Sequence, residues 1–267
     1  SHSQMNTCSM PTGTGSRAET SIFPAREDMQ KELLKYIQKI IDDQVRFPGF
    51  ISIGLSGGSM PKILGPVFSK LKIDPDRLRL FLVDERIVEI SEPDSNYGQW
   101  MQSLPKAFHA CLAAADLIDM PYRADRSGVA YDVGRTALAY ESKIKNHHIG
   151  PEVYGRFPRF DMLFLGMGPD GHTASIFPNS KLYRLKMDST AWFVGVDDSP
   201  KPPPQRITLT MSAINASANV AFICTGDDKA TVLRAVLDRD MQYPAAAVHP
   251  INGTLRFFLD TLAAAKL

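Results

Sequence analysis

From Glu27 the apolar residues Leu33, Leu34, Ile37, Ile40 and Ile41 recur at three-to-four spacing, which predicts an amphipathic helix with one stripe against a core. Pro48 and Gly49 end it. The short apolar run 51–55 is followed by Ser56-Gly57-Gly58-Ser59, then Met60-Pro61 and a stripe at Ile63, Leu64, Val67 and Phe68. This reads as strand, glycine turn and helix, with Pro61 in the first helical turn and Ser59 as the N-cap. The alternation continues with a strand over 80–83, the charges Asp84-Glu85-Arg86 and a helix from Asn96. A further helix is expected over 129–145, and a strand over 162–165 that runs into the glycine-rich segment 166–172. Strands are also expected at 192–196, 207–210 and 220–224, and helices over 227–237 and at the Ala-rich end.

Short apolar strands alternating with helices predict a doubly wound α/β fold, a mostly parallel sheet with helices on both faces, because parallel strands need crossover connections. In such sheets ligands gather beyond the strand C-termini, where 56–59, 84–86 and 166–172 all fall. Residues 1–20, rich in Ser, Thr and Gly, carry no apolar periodicity and read as a flexible arm. The Pro-rich stretch 199–204 reads as a stiff loop, no internal repeat is present, and 21–267 is expected to form a single domain.

The charge balance, 30 basic against 29 acidic residues among 267, implies no attraction to nucleic acid or membrane. No apolar run approaches the ~18 residues needed to span a bilayer, and the start of the chain lacks the basic-then-apolar order of a secretory signal. Cys8, Cys111 and Cys224 are odd in number and far apart, so neither a disulfide framework nor a paired-cysteine zinc site is indicated, and a reducing, intracellular setting fits.

Gly57, Gly58 and Ser59 could present backbone N–H groups to a phosphate at a helix start; a tight turn needing glycine dihedrals is the equal alternative. Gly166, Gly168 and Gly171 formally match a dinucleotide fingerprint, with Asp188 about twenty residues on. Pro178 leaves too short a stretch for the crossover helix, and Asp170 and His172 occupy the turn, so a nicotinamide site is rejected. An imidazole exchanges protons near neutral pH, and Asp170 could orient that of His172; a capped helix turn is the plainer alternative. His2 lies in the arm, His147 and His148 end a polar helix, and His109 and His249 have no partnering motif. Asp84, Glu85 and Arg86 are placed to send at least one charge into the cleft. Arg206 heads an alternating strand, and Lys229, in a first helical turn, opposes the dipole and asks for an anion nearby.

Together Leu55-Ser56-Gly57-Gly58-Ser59, Val83-Asp84-Glu85-Arg86, Ser95-Asn96-Tyr97, the block from Gly166-Met167-Gly168-Pro169-Asp170-Gly171-His172 to Pro178, and Arg206-Ile207-Thr208-Leu209-Thr210 resemble the 6-phosphogluconolactonases of the glucosamine-6-phosphate isomerase/6-phosphogluconolactonase superfamily. The resemblance runs from about residue 23 to 260 and implies the glucosamine-6-phosphate deaminase-like fold. It also implies hydrolysis of 6-phosphoglucono-δ-lactone to 6-phosphogluconate in the oxidative pentose phosphate pathway, without metal or organic cofactor. The related deaminases carry a carboxylate five residues after their histidine, where this chain has Phe177, and Asp-Glu-Tyr where it has Asp84-Glu85-Arg86. A deaminase-type isomerase and a non-catalytic sugar-phosphate sensor are the alternatives.

The resemblance implies His172 as general base and Asp170 as its orienter, with the phosphate held by Gly57, Gly58, Ser59, Arg206 and Lys229. Arg86 faces either the phosphate or the lactone oxyanion, Asp84 lines the same cleft, and Asn96 and Ser56 serve either sugar-hydroxyl contact or loop support. The small-molecule substrate is the expected partner. Ala265-Lys266-Leu267 resembles a peroxisomal address, which implies an import receptor and a peroxisome-like organelle such as a glycosome besides the cytoplasm.

Overall fold

The computed structural model describes residues 7–9, 18–115, 132–147, 152–153, 157–186 and 190–267. Along the chain run β1 (Thr7–Ser9), β2 (Glu19–Phe23), α1 (Arg26–Gln44), β3 (Ile51–Leu55), α2 (Met60–Phe68), β4 (Leu78–Leu82), β5 (Asp84–Arg86), α3 (Asn96–Ser103) and α4 (Val133–Asn146). There follow β6 (Glu152–Val153), β7 (Phe157–Pro158), β8 (Met162–Leu165), α5 (Lys181–Arg184), β9 (Phe193–Val196), β10 (Arg206–Leu209), α6 (Met211–Asn215), β11 (Asn219–Cys224), α7 (Ala230–Leu237) and β12 (Thr254–Asp260).

The main sheet has the order β1-β2-β12-β11-β8-β3-β4, parallel throughout except for the antiparallel edge pair β1–β2. From β3 the chain steps outward to β4, then returns to the other side of β3 with β8 and proceeds away through β11 and β12. The strand order therefore reverses between β3 and β8, the position at which open α/β sheets bind ligands. The β3–β8 ladder holds only two register pairs, Ile53 with Met162 and Gly54 with Leu163. Side chains extend it at both ends. Ser56 Oγ donates to the Phe164 carbonyl at 2.7 Å, and Asp161 Oδ2 accepts from the N–H and hydroxyl of Ser52 at 2.8 and 3.2 Å. β3 and β8 are buried along their whole lengths, as parallel strands covered on both faces must be.

The helices follow their apolar stripes. α1 buries Met29, Leu33, Ile37 and Ile41, one residue per turn, and the chain turns at Gly49 with φ +111. Ser95 caps α3 by accepting from Gly98 N, and Asp132 caps α4 by accepting from Gly134 and Arg135 N; positions 129–131 of the expected helix lie outside the described residues. Ser59 does occupy the N-cap position of α2, but its side chain makes no capping hydrogen bond, because its backbone is already helical (φ -76, ψ -11).

Several sequence expectations need correction. The runs at 192–196 and 207–210 do form strands, but β9 and β10 join β5 in a separate three-stranded antiparallel sheet, order β5-β10-β9, instead of extending the parallel one. β2 and β12 add two unforeseen strands to the main sheet. Buried Thr20 and Ser21 break the apolar pattern of β2, and Arg256 interrupts that of β12, its guanidinium lying over the rings of Tyr36 and Phe258 at 5.2 and 4.5 Å. Thr7–Ser9, inside the segment expected to be an arm, pairs with β2, which itself starts at Glu19. After β12 the Ala-rich end forms turns, not a helix.

Candidate active site

Beyond the C-terminal ends of β3, β8 and β11, at the reversal of strand order, opens a cleft of about 270 Å³. Its walls include Ser56, Gly57, Gly58, Ser59, Asp84, Arg86, Asn96, His172, Arg206 and Lys229, so the fold brings together ten of the eleven residues singled out from sequence. Asp170, the eleventh, stands behind the imidazole.

The segment after β8 is built around the His172–Asp170 pair. Gly168 N donates to the His172 carbonyl and Gly171 N to that of Gly168, a tight loop that uses φ +80 at Gly171. A Cβ on Gly168 would run into His172 and lie 2.6 Å from Asp170 Oδ1, so the pair needs glycine there. Nδ1 of His172 lies 2.5 Å from Asp170 Oδ1, which also accepts from the His172 backbone N–H at 3.2 Å. Burial alone would raise the Asp170 carboxyl; the hydrogen bonds and charge of His172, with help from Lys201, outweigh it and hold the carboxyl at about 2. An ionised carboxylate only accepts, so Nδ1 carries the proton and the neutral ring keeps an available lone pair on Nε2. No helix follows Gly171 directly: Thr173 and Ile176 close a turn, and the next helix is the four-residue α5. Neither the capped-helix reading of Asp170 nor a dinucleotide crossover fits this chain path; Asp188 lies outside the described residues.

The second group is cationic. β5 and β10 are antiparallel with Arg86 directly opposite Arg206, which sets both side chains on one face. Arg206 is 2% exposed. Its Nε donates to the Pro203 carbonyl and its Nη2 to those of Lys201 and Pro202, while Nη1 reaches Ser175 Oγ at 3.5 Å. Burial first, and Arg86 next, pull its pKa below the usual arginine value. Arg86 Nη1 donates to the Asp94 carbonyl at 3.2 Å, and its Nε is buried without a partner among the described residues. Lys229 stands at the N-cap position of α7 without a capping hydrogen bond and has an anion at hand, with Nζ 3.0 Å from Asp228 Oδ2. Across the cleft the turn before α2 places Gly58 at φ +65, and no hydrogen bond engages the N–H groups of Gly58 and Ser59 among the described residues.

Of the roles left open, Ser56 supports the loop: its hydroxyl is spent on Phe164 and its carbonyl accepts from Trp100 Nε1 at 2.8 Å. Asn96 donates to the Asp84 carbonyl, but its Oδ1 is buried without a partner among the described residues. A Cβ on Gly57 would overlap that oxygen. Asp84 accepts from Ser175 Oγ at 2.6 Å and so ties β5 to the loop after β8.

Sequence reasoning missed three contributors. Lys201, treated as part of a stiff loop, lines the cleft with Nζ 4.0 Å from Asp170 Oδ1. Ser175 bridges Asp84 and Arg206. Glu85, considered only as a charge that could enter the cleft, does not line it; it is 3% exposed and accepts from the N–H groups of Arg86, Asn96 and Tyr97 at 2.7–2.9 Å, fixing β5 to the start of α3. Burial pushes its carboxyl up to about 7 against the pull of those three donors. Elsewhere, His109 contacts the Leu104 carbonyl and His249 contacts Arg239; His148 lies outside the described residues. Among the described residues no group of three His, Cys, Asp or Glu could hold a metal ion, and no helix is long and apolar enough to cross a membrane.

The family model described as glucosamine-6-phosphate isomerases/6-phosphogluconolactonase matches residues 24–257. A putative 6-phosphogluconolactonase of Caenorhabditis elegans is 37% identical over 242 residues, 88% of this chain and 85% of the relative. A probable 6-phosphogluconolactonase of Arabidopsis thaliana is 33% identical over 94% of each chain. The solved 6-phosphogluconolactonase of Trypanosoma cruzi superposes with a TM-score of 0.78 at 27% identity, over 95% of this chain and 98% of that one. With a family model spanning most of its length and relatives above 30% identity, this chain belongs to the glucosamine-6-phosphate isomerase/6-phosphogluconolactonase family.

Proposed function

We propose that the protein hydrolyses 6-phosphoglucono-δ-lactone to 6-phosphogluconate, the second step of the oxidative pentose phosphate pathway. The observation that carries this reading is one cleft with an Asp-held imidazole and a cluster of cations, Arg86, Arg206 and Lys229. Two arginines directly opposite each other across a strand pair repel, and an anion seated over both relieves the repulsion. A sugar phosphate carries ~1.5–2 negative charges at neutral pH and meets that need, with Gly58 and Ser59 N–H groups as further donors. On this reading Arg86 serves the phosphate and not the lactone oxyanion.

His172 Nε2 takes a proton from water as the water oxygen attacks the lactone carbonyl carbon. The tetrahedral intermediate then collapses, the bond from that carbon to the ring oxygen breaks, and the imidazolium returns its proton to the departing oxygen. Asp170 keeps Nδ1 protonated and stabilises the imidazolium; it moves no proton itself. A lactone is an activated ester, so a general base worth ~10²–10⁴ suffices without a covalent nucleophile. Phe177 occupies the position at which the deaminase pattern puts its relay carboxylate, and a phenyl ring relays no proton.

The test follows lactone loss by ¹³C NMR against the spontaneous rate. Hydrolysis well above background that disappears in His172→Ala supports the reading. Ammonia release from glucosamine 6-phosphate would replace it with deaminase chemistry, and binding of 6-phosphogluconate without lactone loss would replace it with a sensor. A peroxisome-like destination through Ala265-Lys266-Leu267 as a terminal address is a separate part of the proposal, supported by the exposure of all three residues. Unchanged organelle location of a tagged chain lacking Leu267 would remove it.

A further inference from the structure

Phe177 is 1% exposed, yet it is the one buried aromatic side chain among the described residues that lies outside the main hydrophobic core. Its neighbours are the two functional halves of the cleft. The His172 ring centroid lies 4.7 Å from that of Phe177 with the planes 35° apart, and the guanidinium carbon of Arg206 sits over the phenyl ring at 5.5 Å.

Each partner is otherwise tethered along one edge. The bond to Asp170 fixes Nδ1 but leaves the imidazole free to swing about that contact, which would carry Nε2 off the cleft. The carbonyls of Lys201, Pro202 and Pro203 hold the Nε and Nη2 side of Arg206, while the Nη1 side has only the long 3.5 Å contact to Ser175 Oγ besides packing. A rigid flat face against both removes that freedom, and its negative π-surface favours a guanidinium above it.

Building on the lactonase reading above, we propose that Phe177 is a positioning residue that fixes the water-activating imidazole and the phosphate-binding arginine relative to each other. One ring thereby sets the span between the attacked carbonyl and the phosphate. It touches no substrate and acts through His172 and Arg206. Phe177 thus does more than withhold a carboxylate: its aromatic face is part of the lactonase machinery.

The experiment compares kcat and KM for lactone hydrolysis in the wild type, in Phe177→Leu, and in the chain carrying pentafluorophenylalanine at 177, with melting temperatures alongside. Leucine keeps the site apolar but loses the flat face. It is expected to lower kcat by about tenfold or more and raise KM by about threefold or more. The fluorinated ring keeps the shape and inverts the charge of the face, and is expected to raise KM by about threefold or more at an unchanged melting temperature. In a His172→Ala background the leucine replacement is expected to leave the residual kcat unchanged, since its effect on turnover passes through the imidazole.

Values of kcat and KM within twofold of wild type in both variants overturn the proposal. So does a kcat loss of the same size in the His172→Ala background. Should Phe177→Leu fail to fold, the fluorinated ring decides alone. A wild type with no hydrolysis above the spontaneous rate sinks the lactonase reading itself, whereas the failure of Phe177 in particular is read only against an active wild type.

Discussion

Gly168→Ala tests whether the spacing of the His172–Asp170 pair governs turnover. A Cβ at this position would lie 2.6 Å from Asp170 Oδ1 and nearer still to Cε1 and Nδ1 of His172, whereas carbon contacts settle at ~3.5–4.0 Å. The imidazole or its loop must therefore retreat by about 1 Å. Misplacing a reacting group by ~1 Å costs ~10²-fold, and the whole general-base contribution is ~10²–10⁴. The expected result is a fall in kcat of about a hundredfold, bounded by that of His172→Ala. Arg86, Arg206 and Lys229 stand on other segments, so KM should move by less than about threefold. Gly168 is not in the left-handed region, so alanine adds little backbone strain and the melting temperature should change little. Lactone loss by NMR gives kcat and KM, and the ¹³C titration of Asp170 gives an independent sign. Its carboxyl, held at about 2 against burial by His172, should rise as the pair separates. A folded variant with kcat within threefold of wild type and an unmoved Asp170 titration would refute the reasoning.

His172→Ala should lower kcat by ~10²–10⁴ with KM little changed; a loss below about tenfold in steady-state assays contradicts the proton-transfer role. Arg206→Ala should raise KM by ~10–150-fold and also lower the melting temperature, because three loop carbonyls lose their donor; an unchanged KM would place the phosphate elsewhere. Glu85 binds its proton more tightly in the folded protein, at about 7 against an ordinary 4.5. The stability this contributes is complete below pH ~4.5 and is lost as pH rises through about 7, on the order of 3 kcal/mol across the window. Urea unfolding at several pH values should show that slope in the wild type and lose it in Glu85→Gln; an identical slope in both would assign it to other groups.

The parallel strands around the cleft could be read directly because they are buried on both faces and leave short, uninterrupted apolar runs. Ile51–Leu55 and Met162–Leu165 coincide with β3 and β8 residue for residue. β12 escaped because a charged side chain in mid-strand looks like a loop, and only the folded chain supplies the rings that cover Arg256. Sequence could name Arg86 and Arg206 but not their opposition, since strand register is a long-range choice that local pattern does not encode. Glu85 and Ser175 were invisible as contributors for the same reason: their partners lie 11 and 91 positions away. Lys201 was hidden by its prolines, whose carbonyls turn out to grip Arg206.

The two halves of the main sheet meet along its weakest seam, where the ladder between β3 and β8 runs for two register pairs and serine and aspartate side chains stitch what the backbone leaves undone. The hydroxyls of Ser52 and Ser56 reinforce that seam, and removing either should loosen amide protection at β3 and β8 before it is felt anywhere else in the sheet.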